Sequence, residues 1–156
     1  MSRDKSNDQF APRRAARLAV VQALYQMEQS GASTEEVAAD FDAGRLPREG
    51  DERFAGEGDR ELFRALIETA VDRQNQIDNA IARRLSTGWR LDRIDAVARA
   101  ILRAGAVELE CRPDNPTAVV IDEYVEIAKS FFDGPEPGFI NAALDACARD
   151  LRPAET

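Results

Sequence analysis

The chain contains no histidine, and this absence excludes more functions than any other feature of its 156 residues. Without histidine there is no Ser-His-Asp or Cys-His catalytic site, no histidine-ligated zinc and no imidazole base that titrates near neutral pH. The two cysteines are too few for a structural zinc site. Because most common routes to enzyme chemistry are closed, we expect a protein that is not an enzyme and binds neither a metal nor a cofactor.

Long apolar runs are also absent. No stretch approaches the roughly 18 apolar residues that a membrane span requires, and the polar N-terminus lacks the apolar segment of a secretory signal. Cys111 and Cys147 lie near the ends of separate apolar segments, a placement typical of reduced thiols in a core. We therefore expect a cytoplasmic protein with no membrane contact.

Sustained period-two alternation is missing too, which argues against strands. Apolar residues instead recur at helical spacing in about seven segments, so the sequence predicts an all-α fold. Residues 1–11 are polar and are predicted to be disordered, while Pro12 suits the first turn of the first helix. That helix is expected to end before Gly31. Ser33 and Glu36 have the spacing of a capping box for a short second helix.

The rest of the chain shows the same helical periodicity between polar breaks. Residues 43–58 hold four glycines and a proline among mixed charges, which predicts a mobile loop. The apolar pattern that follows has a polar interruption, so it is either two helices that meet near residue 75 or one helix that kinks there. Further helices are expected after a break at 86–88, after Thr117, which can cap its helix, and over residues 139–151.

Positive charge is scarce overall but concentrated near the N-terminus. The net charge is −8, with 19 arginines and two lysines, yet five positive charges against two negative ones fall in the first 17 residues. Arg13, Arg14 and Arg17 lie at the expected start of a helix, where cations oppose the helix dipole by ~0.3–1 kcal/mol each. This placement favours an anion-binding role, with the arginines pointing outward together. An ordinary solvated helix start is the alternative.

Three aromatic side chains are candidates for contacts with nucleic acid. Tyr25 lies two turns beyond Arg17, while Phe131 and Phe139 flank a Pro/Gly-rich loop at residues 133–138. Each is suited either to stacking on an unpaired base, an interaction worth ~1–3 kcal/mol, or to packing in the core.

A short acidic run, Asp122-Glu123 followed by Glu126, imitates a pair of catalytic carboxylates. Adjacent residues on a helix point about 100° apart, however, so two neighbouring carboxylates do not share one site. We interpret the run as a solvated or partner-facing acidic edge.

Several segments carry motifs in a recognisable order. Residues 13–17 read RRAAR, residues 21–25 read VQALY, residues 120–131 read VIDEYVEIAKSF and residues 139–145 read FINAALD. With residues 93–109, which fit a fifth helix, these segments resemble the NusB family of bacterial transcription antitermination factors. The family's patterns are close to R-R-x-A-R, x-Q-A-L-Y, V-A-I-N-E-A-V-E-L-A-K-x-F and F-V-N-G-V-L-D.

The resemblance implies one helical domain over residues 12–152, followed by a short tail at 153–156. It also implies two subdomains of three to four helices, at 12–74 and 75–152. The implied function is non-enzymatic binding of single-stranded boxA RNA in nascent ribosomal RNA leader transcripts. The implied partner is NusE, a protein of the small ribosomal subunit, and the heterodimer would act in the antitermination complex on RNA polymerase.

Carried over to this chain, the resemblance assigns RNA binding to cationic and aromatic side chains: Arg13, Arg14, Arg17, Tyr25, Lys129, Phe131 and Phe139. It assigns partner binding to a set of carboxylates: Glu108, Asp122, Glu123 and Glu126. The chain departs from the family at residues 135–138, which read PEPG where the family has a polar, often basic stretch. The loop therefore either makes no base contacts or makes them through backbone groups.

Two other classes of function stay open. A helical protein–protein module, or a homodimer of the free protein that covers its RNA face, is favoured by the altered loop and the net negative charge. A methyltransferase-associated domain is the other class, because the same helical domain occurs fused to ribosomal RNA cytosine methyltransferases. Against it, the chain has neither a glycine-rich cofactor unit nor a catalytic cysteine motif.

Overall fold

The computed structural model describes residues 5–48, 54, 56–85 and 89–153, with side chains from residue 10 onward. Within these ranges the chain forms seven helices and no strand, which confirms the predicted all-α fold. The helices are α1 (Lys5–Ser30), α2 (Thr34–Asp42), α3 (Arg60–Asp72), α4 (Gln74–Arg84), α5 (Ala96–Cys111), α6 (Thr117–Phe131) and α7 (Glu136–Leu151). None of the helices described is long and apolar enough to cross a membrane. The predicted break at 86–88 lies outside the described residues.

The chain divides into two compact units, Met1–Ile67 and Glu68–Thr156. The division falls inside α3, whereas the family resemblance placed it at residue 75. The sequence signal near 75 marks a helix junction, because α3 ends at Asp72 and α4 begins at Gln74. The boundary between the units lies inside a helix, where the apolar pattern has no break. The sequence therefore indicates the junction between two helices but not the boundary between the units.

The first helix begins earlier than the sequence indicates. Its helical residues start at Lys5, inside the segment predicted to be disordered, and Pro12 lies within the helix. Every residue from 15 to 21 is buried, so this part of α1 is enclosed on all sides and does not present a single apolar stripe. After α1 ends, Gly31 has a φ of +74°, a left-handed conformation that favours glycine.

The predicted capping box of α2 forms. Ser33 Oγ accepts a hydrogen bond from the backbone N–H of Glu36, and Glu36 Oε1 accepts one from the backbone N–H of Ser33, both at 3.1 Å. Phe41 of α2 stacks on Phe63 of α3 with ring centroids 4.1 Å apart. This buried pair of rings explains why the first turns of α3 belong to the first unit.

The loop at 43–58, predicted to be mobile, is fastened where the structure describes it. Leu46 and Phe54 are buried, and the backbone N–H of Arg48 donates to Gln22 Oε1 at 2.7 Å. The guanidinium of Arg48 also donates to Gln26 Oε1 at 3.1 Å. Two apolar side chains and one arginine thus tie the loop down, although its glycines and mixed charges suggest a mobile segment.

In the second unit, α5 and α7 are the two central helices, and each contacts α4 and α6 as well as the other. Asp95 caps α5, since its Oδ1 accepts from the backbone N–H groups of Val97 and Ala98 at 2.8 and 3.2 Å. Gly105 permits a close approach of α5 and α7, because a β-carbon at this position would lie 2.8 Å from Leu144 Cδ1. The close contact between α5 and α7 at this point therefore depends on the absence of a side chain at residue 105.

The start of α6 differs from the prediction that Thr117 caps it. Thr117 is the first helical residue, Pro116 is the N-cap, and the cap makes no side-chain hydrogen bond. The Thr117 hydroxyl oxygen instead accepts from Arg152 Nη1 at 3.1 Å. A charged donor at the end of α7 thus occupies the oxygen that the sequence assigns to capping.

We predict that Gly105→Ala destabilises the protein by up to about 2 kcal/mol, because overpacking one core position costs about 1–3 kcal/mol and replacing a helical glycine by alanine offsets about 0.5–1 kcal/mol of it. The cause is the contact with Leu144, which is fully buried. Gly138→Ala in the first turn of α7 is the matched control, because a β-carbon there meets nothing within 4 Å. Urea unfolding should show a lower midpoint for Gly105→Ala and an unchanged or higher midpoint for Gly138→Ala. Equal midpoints would contradict the packing argument.

Candidate nucleic-acid interface

The three N-terminal arginines do not point outward together, which corrects the expectation from helical spacing. Arg13 is exposed and Arg14 is half-buried, but Arg17 is only 2% exposed. Arg17 lies in the enclosed part of α1, so its guanidinium does not reach the surface with the other two. The helix-dipole argument also fails, because α1 begins at Lys5 and the dipole acts within the first turn.

Two of the aromatic candidates offer their rings to solvent. Tyr25 on α1 is 40% exposed, and Phe131 at the C-terminal end of α6 is 45% exposed, so neither serves mainly to fill the core. Lys129, in the last turn of α6, is exposed, and its Nζ lies 3.8 Å from Glu126 Oε1. An exposed ion pair of this kind contributes little and leaves the ammonium group accessible to another anion.

Phe139 pairs with a ring that sequence reasoning missed. It stacks on Trp89 with ring centroids 4.8 Å apart and an interplanar angle of 28°. Phe139 is half-buried, whereas Trp89 is 52% exposed, so the indole is the outer ring of the pair. Trp89 is the only tryptophan of the chain. The sequence does carry a signal for this residue, because a large aromatic side chain in a polar turn between two helices is a candidate for ligand contact.

Among the carboxylates assigned to partner binding, Glu108 has a different position from the others. Glu108 is fully buried. Its Oε1 accepts a hydrogen bond from Tyr124 Oη at 2.8 Å, and its Oε2 accepts one from Asn115 Nδ2 at 3.0 Å. Its carboxylate is thus used inside the protein, and we remove it from the partner-binding set. The other three lie on α6 with at least part of the residue exposed: Asp122, Glu123 and Glu126.

The cysteines and carboxylates of the described residues are of types that act as metal ligands or nucleophiles. No three cysteine or carboxylate side chains among them are grouped so as to hold a metal ion. Burial raises the pKa of the Cys147 thiol to about 11 and also raises that of Cys111. Both cysteines are free, and protonated thiols are poor nucleophiles at neutral pH. What the described surface offers is charge and aromatic rings.

These features define a class: an all-helical protein of two units, with an exposed arginine on α1 and exposed rings on both units. The NusB family profile matches residues 14–149. The chain is 55% identical over 147 residues to the transcription antitermination protein NusB of Caulobacter vibrioides. The matched residues make up 94% of this chain and 99% of that protein. The chain is also 50% identical over 143 residues to the protein of the same name in Maricaulis maris, covering 92% and 89%. The chain belongs to the NusB family.

Solved structures share the fold. NusB of T. maritima is 33% identical and superposes with a TM-score of 0.74, covering 92% of this chain and 95% of that one. A chain in the crystal structure of the antitermination factors NusB and NusE with double-stranded RNA has a TM-score of 0.70 at 24% identity, covering 88% and 96%. The second comparison shows that the fold is shared even with a chain of low sequence identity.

We predict that Glu108→Leu destabilises the protein by about 1–3 kcal/mol for each donor that it leaves without an acceptor. Those donors are Tyr124 Oη and Asn115 Nδ2. Asp122→Asn is the control, because it removes one negative charge from an exposed position of α6. Urea unfolding should separate the two variants clearly. If Glu108→Leu unfolds at the same urea concentration as Asp122→Asn, Glu108 does not have the structural role assigned to it.

Proposed function

We propose that the protein is a non-enzymatic RNA-binding factor in transcription antitermination, acting in the cytoplasm. It binds single-stranded boxA RNA of nascent ribosomal RNA leaders together with NusE, and the heterodimer acts in the antitermination complex on RNA polymerase. Membership in the NusB family supports this proposal, since its relatives are named transcription antitermination proteins. The observation that carries it is Arg13, an exposed cation on a long helix of a chain whose net charge is −8.

Phosphate contacts are assigned to the cations that reach the surface. Arg13 is exposed and Arg14 is partly exposed next to it in sequence. A guanidinium binds phosphate through two parallel N–H groups, which fixes geometry as well as charge. Lys129 on the second unit adds a point charge. Arg17 receives no phosphate contact, because it is buried.

Base contacts are assigned to the exposed rings. Tyr25 and Phe131 are each at least 40% exposed, and an unpaired base stacks on such a ring with ~1–3 kcal/mol. Stacking tolerates any base, so these rings hold the strand without reading its sequence. This is the mode of recognition that single-stranded RNA favours.

The acidic edge of α6 is assigned to the contact with NusE. Asp122 is exposed, and Glu123 and Glu126 are partly exposed on the same helix. Carboxylates repel the phosphates of RNA, so Asp122 and Glu123 are suited to a protein. Glu126 lies 3.8 Å from Lys129 Nζ and thus at the boundary with the cation assigned to phosphate. Exposed charges at the rim of an interface act mainly on the rate of association and on its salt dependence.

We predict that Arg13→Gln weakens binding to a single-stranded RNA that contains boxA and lowers its salt dependence. If about four phosphates are neutralised, the slope of log K against log salt is roughly −3 for single strands, and the loss of one cation changes it by about 0.7. Binding should be measured by electrophoretic shift over a range of salt, with and without NusE.

The matched control is Arg149→Gln, which removes the same charge from an exposed position of α7. It should leave both affinity and slope unchanged. Equal losses for the two variants would show that net charge alone acts. The absence of any shift for the unmodified protein, with or without NusE, would overturn the proposed function and favour a protein–protein module or a homodimer with a covered RNA face.

We predict that Phe131→Leu reduces RNA affinity by about 5- to 150-fold, the equivalent of one lost base stack. Leucine keeps an apolar side chain at this exposed position but has no ring. Val119→Leu, a change at another exposed apolar position of α6, should leave the affinity unchanged. Titration by fluorescence anisotropy of labelled RNA measures both, and an unchanged affinity for Phe131→Leu removes this residue from the interface.

A further inference from the structure

The stacked rings of Trp89 and Phe139 form a surface feature that the assigned contacts leave unexplained. Their centroids are 4.8 Å apart, and the indole is 52% exposed. One face of the phenyl ring is covered by the indole. A flat ligand on this side of the pair would therefore stack on the indole of Trp89. Phe139 would pack against the opposite face of the indole and support it.

The turn that carries the indole is fixed by hydrogen bonds. The backbone N–H groups of Arg93 and Ile94 donate to the carbonyl oxygen of Arg90 at 2.9 and 3.1 Å. From α5, Arg99 Nη1 donates to the carbonyl oxygens of Leu91 and Ile94 at 3.0 and 2.8 Å. The hydrogen bonds fix the turn that directly follows Trp89, and the stacking contact with Phe139 holds the indole itself. A ring held in this way lowers the entropy that a ligand must overcome on binding.

The same turn carries positive charge. Arg90 and Arg93 are exposed, and Arg90 pairs with Asp92 at 3.3 Å through side chains that are 64% and 67% exposed. An exposed pair of this kind contributes little, so phosphate can replace the carboxylate. Residues 90–95 hold two arginines and two aspartates. Asp95 accepts the backbone N–H groups at the start of α5 and Arg99 adds a third guanidinium from α5, so the cations of the turn are not outnumbered on a chain of net charge −8. A partner with a purely apolar surface would gain nothing from these cations.

We infer that Trp89, supported by Phe139, is a stacking site for one unpaired base of single-stranded RNA, with Arg90 and Arg93 contacting the neighbouring phosphates. The combination of an exposed ring and guanidinium groups on one short turn matches the two parts of a nucleotide. The inference rests on the proposed function and deepens it, because it adds Trp89 to the base contacts assigned to Tyr25 and Phe131 and gives Phe139 a supporting role.

The fluorescence of Trp89 tests this directly, because the chain has no other tryptophan. Single-stranded RNA containing boxA is titrated into the protein with NusE, and the signal of Trp89→Phe protein with NusE is subtracted. Stacking of a base on the indole should quench the emission and reduce its quenching by acrylamide. The quench should saturate along the same curve as the electrophoretic shift.

Substitutions give a second, independent readout. Trp89→Leu should lower RNA affinity by about 5- to 150-fold, and Trp89→Phe, which keeps a ring, should lower it less. Arg90→Gln and Arg93→Gln should each reduce the salt slope by about 0.7. Val71→Ala is the control, since it alters another exposed apolar side chain of the same unit and should change neither quantity.

The outcomes separate the inference from the function on which it rests. RNA binding without a change in Trp89 emission, or with an unchanged affinity for Trp89→Leu, overturns the inference and leaves the proposed function intact. Failure of the unmodified protein to bind RNA at all overturns both. Quenching together with the ring-dependent loss of affinity supports both.

Discussion

The hydrogen bonds of Arg152 are the constraint on which the second unit depends. The last carbonyl groups of a helix have no partner within that helix. Arg152, only 7% exposed, donates to the carbonyl oxygens of Leu109, Arg112 and Asn115, each at 2.6 Å. One guanidinium from the end of α7 therefore satisfies the acceptors of the turn between α5 and α6. The bond to Leu109 is buried, and that carbonyl oxygen left without a donor would cost ~1–3 kcal/mol. The carbonyl oxygen of Arg112 also accepts from the backbone N–H of Asn115.

The same cluster determines where α6 lies. Thr117 at its start accepts from Arg152, and Tyr124 one to two turns later donates to the buried Glu108 of α5. With these contacts fixed, the far end of the helix presents Lys129 and Phe131 from a rigid element. Groups on such elements are placed more accurately than groups on free loops. The polar interior of this unit is thus the physical basis of its proposed surface contacts.

The helices could be predicted from the sequence because the signals that start and stop them act over a few residues. The capping box at Ser33 and the polar interruption near residue 75 are both of this kind. Burial of a charged side chain is different, since it depends on groups far away in the sequence. Arg17, Glu108 and Arg152 are of residue types that are mostly exposed in proteins, so residue type alone does not identify them as buried. Only the packed structure shows which polar groups enclose them.

The sequence predicted which kinds of side chain form the candidate site, but not which individual residues reach the surface. Electrostatics explains why the identity of these residues matters. A chain of net charge −8 repels a polyanion at a distance. At physiological salt, charges interact over about 8 Å, so only cations close to a phosphate act against that repulsion. The number of arginines is then less important than which of them reach solvent, as Arg13 does and Arg17 does not. We therefore expect a protein with these charges to bind RNA weakly alone, and a partner that adds contacts to the same strand to raise the affinity.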